Sequence, residues 1–211
     1  MIKHIIFDFG GVLMDLDFMR TVKGLTEVLD FDFKDKEFRH WFLELFKEFE
    51  KDGVGEDDFI NQLKHKSNKR IDSDGPIIDA WNSMMIRLRK ERFMMLKELK
   101  SDYGIYLLSN SNHIHYRAMT IMVEDMFGDL DFHKEFFHQA YYSQHLKMRK
   151  PDKDIFDHIS EENKLVKGET LFIDDLQSNI DGAIAAGLKA IRHDPKTEIT
   201  EQLQRYINQA N

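Results

Sequence analysis

The segment from Ile2 to Gly11, IKHIIFDFGG, decides the fold. Apolar residues fill most of the run, the carboxylate of Asp8 interrupts it near its end, and two glycines follow. A short apolar run that stops at turn-forming residues is typical of a buried strand. We therefore predict a first strand that ends near Asp8 and leads into a loop.

Similar runs recur later in the chain. Residues 105–108 and 171–173 form strong apolar runs, and weaker ones lie at 139–143 and 189–192. Helical patterns lie between and after them, at 152–159, 179–187 and 199–207. Strands that alternate with helices predict an α/β fold with a doubly wound, mostly parallel, Rossmann-like sheet.

The stretch from Asp17 to Lys100 has a different pattern. It is rich in Phe, Leu, Lys and Glu, and its apolar residues recur at three- and four-residue spacing, which is typical of helices. We interpret Trp81, Met84, Met85 and Leu88 as one such helical face. The prediction is a core domain at 1–16 and 101–211 with an α-helical insertion at 17–100.

The composition excludes several classes of function. Lys+Arg 30 against Asp+Glu 38 gives a net charge of −8, which argues against a nucleic-acid or anionic-membrane partner. The chain has no cysteine, so disulfides, thiolate metal sites and a cysteine nucleophile are excluded. No apolar run suits a membrane span or a signal peptide. We expect a cytoplasmic protein, and its oligomeric state stays open.

Polar residues end the three strongest apolar runs: Asp8, Ser109, and the pair Asp174 and Asp175. The carboxyl ends of parallel strands share one edge of a sheet, so these residues would meet in one crevice. Carboxylates suit a hard cation such as Mg²⁺, and Ser109 with the amides after it suits a phosphate. Lys150, just before a proline, adds a positive charge. A metal, a lysine and a hydroxyl around a phosphate are the groups that phosphoryl transfer requires.

The same residues resemble a known family. Residues 7–13 (FDFGGVL), 107–110 (LLSN), 150–151 (KP) and 172–175 (FIDD) look like the four motifs of the haloacid dehalogenase-like hydrolase superfamily, in the right order. The helical insertion is similar to that superfamily's α-helical cap. Within the superfamily, the chain looks most like the bacterial sugar-1-phosphate phosphatase branch.

The resemblance implies a role for each motif residue. Asp8 would be the nucleophile that forms an aspartyl-phosphate, and Lys150 would neutralise it and bind the phosphoryl group. Asn179 would either orient the loop after Asp175 or cap its helix. The implied phosphate-binding residues are Ser109, Asn110 and Lys150. The implied Mg²⁺ ligands are Asp8, Gly10 through its backbone carbonyl, Asp175 and Asp174, and Asp174 would either bind the ion directly or lie behind the direct ligands.

One position departs from the family pattern. The family's second aspartate, two residues after the nucleophile, acts as a general acid and base, and here that position is Gly10. Asp15, Asp17, His113 and His115 are near enough in sequence to replace it. Each also has a structural interpretation, because the aspartates can shape the hinge and cap a helix, and the histidines can simply begin one.

Three functions remain open at this point. The first is a Mg²⁺-dependent phosphatase of a small phosphorylated metabolite, for which a sugar phosphate is the expectation. The second is a metal-independent 2-haloacid dehalogenase, against which the adjacent Asp174 and Asp175 argue, because paired carboxylates without a cation repel each other. The third is a binding or regulatory protein with weak activity, and Gly10 is its only support.

Overall fold

A central parallel sheet organises the chain in the computed structural model, which describes residues 1–211. Its five strands lie in the order β5-β4-β1-β6-β7 and all neighbours are parallel. The strands are β1 (His4–Phe7), β4 (Gly104–Ser109), β5 (Gln139–Tyr142), β6 (Thr170–Asp174) and β7 (Lys189–Arg192). The predicted α/β fold with a parallel sheet is confirmed.

Both faces of the sheet are buried. Successive strand residues point to opposite faces, so Ile5 and Phe7 join one hydrophobic cluster and Ile6 joins another. The helices that cover the sheet are α5 (Lys90–Leu99), α6 (His113–Phe127), α7 (Phe132–Phe136), α8 (Ser143–Leu146), α9 (Lys153–Glu162), α10 (Gln177–Ala185) and α11 (Ile199–Ala210). Burial on both faces explains why the strands are short continuous apolar runs. No helix is both long enough and apolar enough to cross a membrane.

Four helices follow the first strand and form a layer with its own core. They are α1 (Phe18–Leu29), α2 (Lys36–Glu50), α3 (Glu56–Lys66) and α4 (Gly75–Asn82). Aromatic side chains fill the space between them: Phe49 and Phe59 stack at 4.1 Å between ring centroids, and both pack on Trp81. The aromatic stripes of the sequence are therefore core, as their spacing indicates.

The prediction of a helical face that includes Met84, Met85 and Leu88 is wrong. Met85–Leu88 forms strand β3, which pairs antiparallel with β2 (Met14–Leu16). The pairing partner lies some 70 positions earlier, so local spacing could not reveal it. Helix α5 then packs Phe93 and Leu96 into the same cluster as the sheet. The division of the chain at residues 17 and 100 stays a prediction.

Candidate active site

The predicted residues at the strand ends meet at one edge of the sheet. Asp8 directly follows β1, Ser109 ends β4 and Asp174 ends β6, and β1 lies between the other two strands. The Asp8 amide donates to the carbonyl oxygen of Ile173 at 2.8 Å, and this hydrogen bond fixes the end of β1 against the end of β6. One carboxylate oxygen from each of Asp8, Asp174 and Asp175 lies within 4.8 Å of the others.

Lys150 is the only positive charge in this cluster, and its side chain is 1% exposed. Its ammonium group donates to Asp8 Oδ1 at 2.6 Å, to Asp174 Oδ2 at 2.8 Å and to the carbonyl oxygen of Leu108 at 2.9 Å. Asn110 holds the lysine in place: its side-chain amide donates to the Lys150 carbonyl, and its amide oxygen accepts from the Lys150 N–H, both at 2.9 Å. All three donor positions of the ammonium group are used.

The carboxylate of Asp8 presents its two oxygens differently. Oδ1 accepts from the Phe9 amide at 2.7 Å and from Lys150 at 2.6 Å. Oδ2 accepts no hydrogen bond from the protein. The side chain is therefore oriented through one oxygen, and the other is free to react or to bind a metal.

Asp174 is fully buried and its oxygens are both occupied. Oδ1 accepts from the Leu176 amide at 2.8 Å and from Asn179 at 3.0 Å, while Oδ2 accepts from Asn179 at 3.0 Å and from Lys150 at 2.8 Å. Asn179, in the first turn of α10, therefore holds the carboxylate of Asp174 at the end of β6. Asp175 lacks such contacts and is only partly buried.

The cluster carries more negative charge than Lys150 can balance. Burial and then the charge of Asp174 raise the pKa of Asp8 well above its usual range, against the opposing effect of Lys150. The same two causes raise the pKa of Asp175 to about 6. Burial acts to lower the pKa of Lys150, but Asp174 and Asp8 outweigh it and the net shift is upward. Such a site favours a cation, and its oxygen ligands suit a hard one.

Two glycines shape the loop after Asp8. Gly11 has φ +74°, and a Cβ there would lie 2.6 Å from the carboxyl group of Asp175. Only glycine combines this conformation with so close an approach. At Gly10 a Cβ would collide with Cδ1 of Leu16, so an apolar side chain occupies the space that a larger residue at position 10 would need.

The two aspartates considered as replacement acids have structural roles. Asp15 forms ion pairs with Arg87 at 2.8 Å and with Arg92 at 2.9 Å, at the junction of β2 and β3 with α5. Asp17 caps α1 by accepting from the Met19 amide at 3.0 Å. The structural interpretation of Asp17 as a helix cap is confirmed.

The two histidines are also engaged with other groups. His113 Nε2 lies 3.0 Å from Asp52 Oδ1, on the helical layer. His115 lines the cavity beside the site, but its Nε2 lies 3.1 Å from the Trp81 carbonyl oxygen and its ring stacks on the indole of Trp81. Burial lowers the pKa of His115 to about 4, so the ring is neutral at pH 7, and its Nε2–H donates a hydrogen bond to the Trp81 carbonyl oxygen.

A cavity of about 470 Å³ opens between the helical layer and the sheet edge, and Asp8, Ser109, Lys150 and Asp175 lie on its wall. Its size is that of a small-molecule site. A further pair on the wall was missed from the sequence: Arg149 Nε donates to Glu50 Oε2 at 2.9 Å, which joins α2 to the segment before Lys150. Burial raises the pKa of Glu50, and Arg149 opposes the shift. In the sequence, the only indication that Arg149 belongs to the site is its position next to Lys150.

Fold and site together define a class of protein. It is an α/β protein with a carboxylate cluster and a buried lysine at the carboxyl edge of its parallel sheet, covered by a helical layer. The chain belongs to the haloacid dehalogenase-like hydrolase family, whose model matches residues 2–187.

The chain is similar to several known members of the family. A D-ribitol-5-phosphate phosphatase from Bacteroides thetaiotaomicron is 25% identical over 209 residues, 99% of this chain and 100% of the relative. A family enzyme from the same organism, solved with magnesium and inorganic phosphate, has a TM-score of 0.79 at 26% identity, over 95% of this chain and 98% of that one. A sesquiterpene phosphatase from Aspergillus oryzae is 25% identical over 194 residues, 88% of this chain and 87% of the relative.

Proposed function

We propose that this protein is a magnesium-dependent phosphatase that hydrolyses a small phosphorylated metabolite through an aspartyl-phosphate on Asp8. The arrangement of Asp8 carries the proposal: one oxygen is fixed by Lys150 and the Phe9 amide, and the other is free at the cavity wall. A solved relative that holds magnesium and inorganic phosphate supports the metal and the phosphate product.

The free oxygen of Asp8 would attack phosphorus, and the bond from phosphorus to the ester oxygen would break. The organic group would leave as an alkoxide or phenoxide and take a proton from water. Water would then attack the aspartyl-phosphate, releasing inorganic phosphate and restoring the carboxylate. Lys150 opposes the rise that burial causes in the pKa of Asp8, and it offsets charge on the phosphoryl group. The hydroxyl of Ser109 and the backbone amides after β4 would bind the phosphoryl oxygens.

The carboxylates of Asp8 and Asp175 and the backbone carbonyl of Gly10 would hold Mg²⁺. When bound, the ion balances the clustered negative charge and that of the phosphate. The sequence left open whether Asp174 ligates the metal directly, and we propose that it does not, because both its oxygens already accept two hydrogen bonds and its side chain does not line the cavity. Its contact with Lys150 positions the ammonium group.

The test is hydrolysis of phenyl phosphate with and without Mg²⁺. We expect activity that EDTA abolishes and that Asp8→Asn lowers on the order of 10⁴-fold or more, as loss of a nucleophile does. Asp129→Asn, on an exposed loop, is the matched control and should retain full activity. Undiminished activity in Asp8→Asn contradicts the proposal.

Halide release from a 2-haloacid and phosphate release from a panel of phosphates separate the two alternative functions. A 2-haloacid dehalogenase would release halide in the presence of EDTA, and a binding or regulatory protein would turn over every phosphate slowly. The relatives differ in the organic group of the substrate for which they are named. One relative is named for a polyol phosphate and another for a sesquiterpene, so the sugar-phosphate expectation has a single support.

A further inference from the structure

One wall of the active-site cavity is apolar. It comes from β2, the start of α1, the end of α2, the turn into β3, and α6. Its side chains are Leu16, Phe18, Phe46, Met84, Met85 and Met119. Phe18 and Phe46 stack on each other at 6.4 Å between ring centroids, so part of this wall is a packed aromatic surface.

Apart from Asp8, Asp175 and the proposed phosphate-binding residues, the polar side chains of the cavity wall already have protein partners. Glu50 and Arg149 bind each other, and His115 is bound to the Trp81 carbonyl. The hydroxyl of Tyr142 lies 2.9 Å from His133 Nε2. A sugar or polyol enclosed here would bury most of its hydroxyl groups against carbon, and buried hydroxyls without partners are costly.

The apolar wall begins next to the nucleophile. Leu16 lies over Gly10, two residues from Asp8, and fills the space of a side chain at that position. The first atoms of the substrate beyond its phosphate would therefore meet carbon.

We infer that the substrate is the monophosphate of an apolar alcohol or phenol, with its phosphate at Asp8 and its organic group on this wall. The inference rests on the proposed phosphatase function and names its substrate class. Hydrolysis transfers the phosphoryl group to water, so the products are inorganic phosphate and the free apolar alcohol or phenol.

A series of 4-n-alkylphenyl phosphates, from phenyl to pentylphenyl phosphate, tests the inference. The alkyl group hardly changes the acidity of the phenol, so differences in kcat/KM report binding of the organic group. Each buried CH₂ is worth about 0.8 kcal/mol, so we expect kcat/KM to rise about fourfold per added carbon until the wall is covered. Pentyl phosphate should also be a better substrate than ribitol 5-phosphate, because both are alkyl phosphates with similar leaving groups and only the first carries an apolar chain.

Variants of the wall locate the effect. Met84→Gln and Phe18→Gln place polar groups on the wall and should flatten the dependence on chain length, with the largest loss for pentylphenyl phosphate. Met19→Gln is the matched control, because Met19 is next to Phe18 but 65% exposed and outside the cavity, and it should retain the full slope.

The outcomes separate the inference from the function on which it rests. Hydrolysis of phenyl phosphate with a flat or falling dependence on chain length overturns the inference and leaves the phosphatase intact. A preference for the polyol or sugar phosphate has the same two consequences. Equal slopes in Met84→Gln, Phe18→Gln and the parent protein also overturn it. Absence of hydrolysis of every phosphate, with Mg²⁺ present, defeats the phosphatase function instead.

Discussion

At position 10 the chain has a glycine where the family resemblance expects a general acid and base. The structure shows what stands in its place: Leu16 covers the glycine, and Asp15 and Asp17 face other partners. The site therefore combines a well-oriented carboxylate at Asp8, the proposed nucleophile, with no side chain at position 10 to protonate the leaving group. Substrates whose leaving group departs without a proton suit such a site best.

Gly10→Asp should restore the missing proton donor. Leu16 is 38% exposed at the end of a short strand, so its side chain can move aside. General acid catalysis is worth ~10²–10⁴-fold, so we expect Gly10→Asp to raise kcat for alkyl phosphates by about 10²-fold. Phenyl phosphate, with its better leaving group, should change much less.

Gly10→Asn is the control for that variant, because it has nearly the same size and cannot donate an acidic proton. Steady-state phosphate release measures both. If the two variants show the same rate on alkyl phosphates, a proton donor at position 10 is not what limits the reaction.

Among the elements, α2 is tied to the active site by one buried ion pair. Glu50 ends the helix and binds Arg149, whose neighbour Lys150 contacts Asp8. Glu50→Gln would leave Arg149 without its counter-charge in a largely buried position. We expect it to lower the free energy of unfolding by about 2 kcal/mol or more, measured by urea denaturation.

Glu44→Gln on the same helix is the matched control. Its ion pair with Lys47 is exposed, and exposed pairs contribute about 0–1 kcal/mol. Replacing both partners, as Glu50→Leu with Arg149→Met, should recover much of the lost stability, because the pair's burial is itself costly. A loss of less than 0.5 kcal/mol in Glu50→Gln would show that Arg149 finds other compensation.

The elements also show what local sequence can and cannot predict. Strands β1, β4 and β6 were predictable because each is a short apolar run followed at once by polar or turn-forming residues, and those polar residues make the site. Strand β3 was not, because its pairing partner β2 is remote. The ion pair of Glu50 and Arg149 joins residues 99 positions apart, and only tertiary packing brings them together.

At the scale of the whole molecule, the site brings several negative charges together, and their repulsion opposes folding. Three carboxylates within 4.8 Å face one buried lysine, in a chain whose net charge is already −8. Hydrophobic clusters on both faces of the sheet hold the strand ends together against this repulsion. A bound cation would offset this repulsion, so metal binding should increase the stability of the folded protein.

Magnesium should stabilise the folded protein, and Asp175 should mediate the effect. At a Mg²⁺ concentration 100 times the Kd, mass action adds about 2.7 kcal/mol, which raises Tm by roughly 5–10 °C for a chain of this size. Thermal unfolding at pH 8, with NaCl matching the ionic strength, measures it. Asp175→Asn should lose most of this rise, yet in EDTA it should melt above the parent protein, because one repelling charge is gone. Equal Mg²⁺-dependent rises in the two proteins would exclude Asp175 as a ligand, and a lower Tm for the variant in EDTA would show that Asp175 is needed for packing even without the metal.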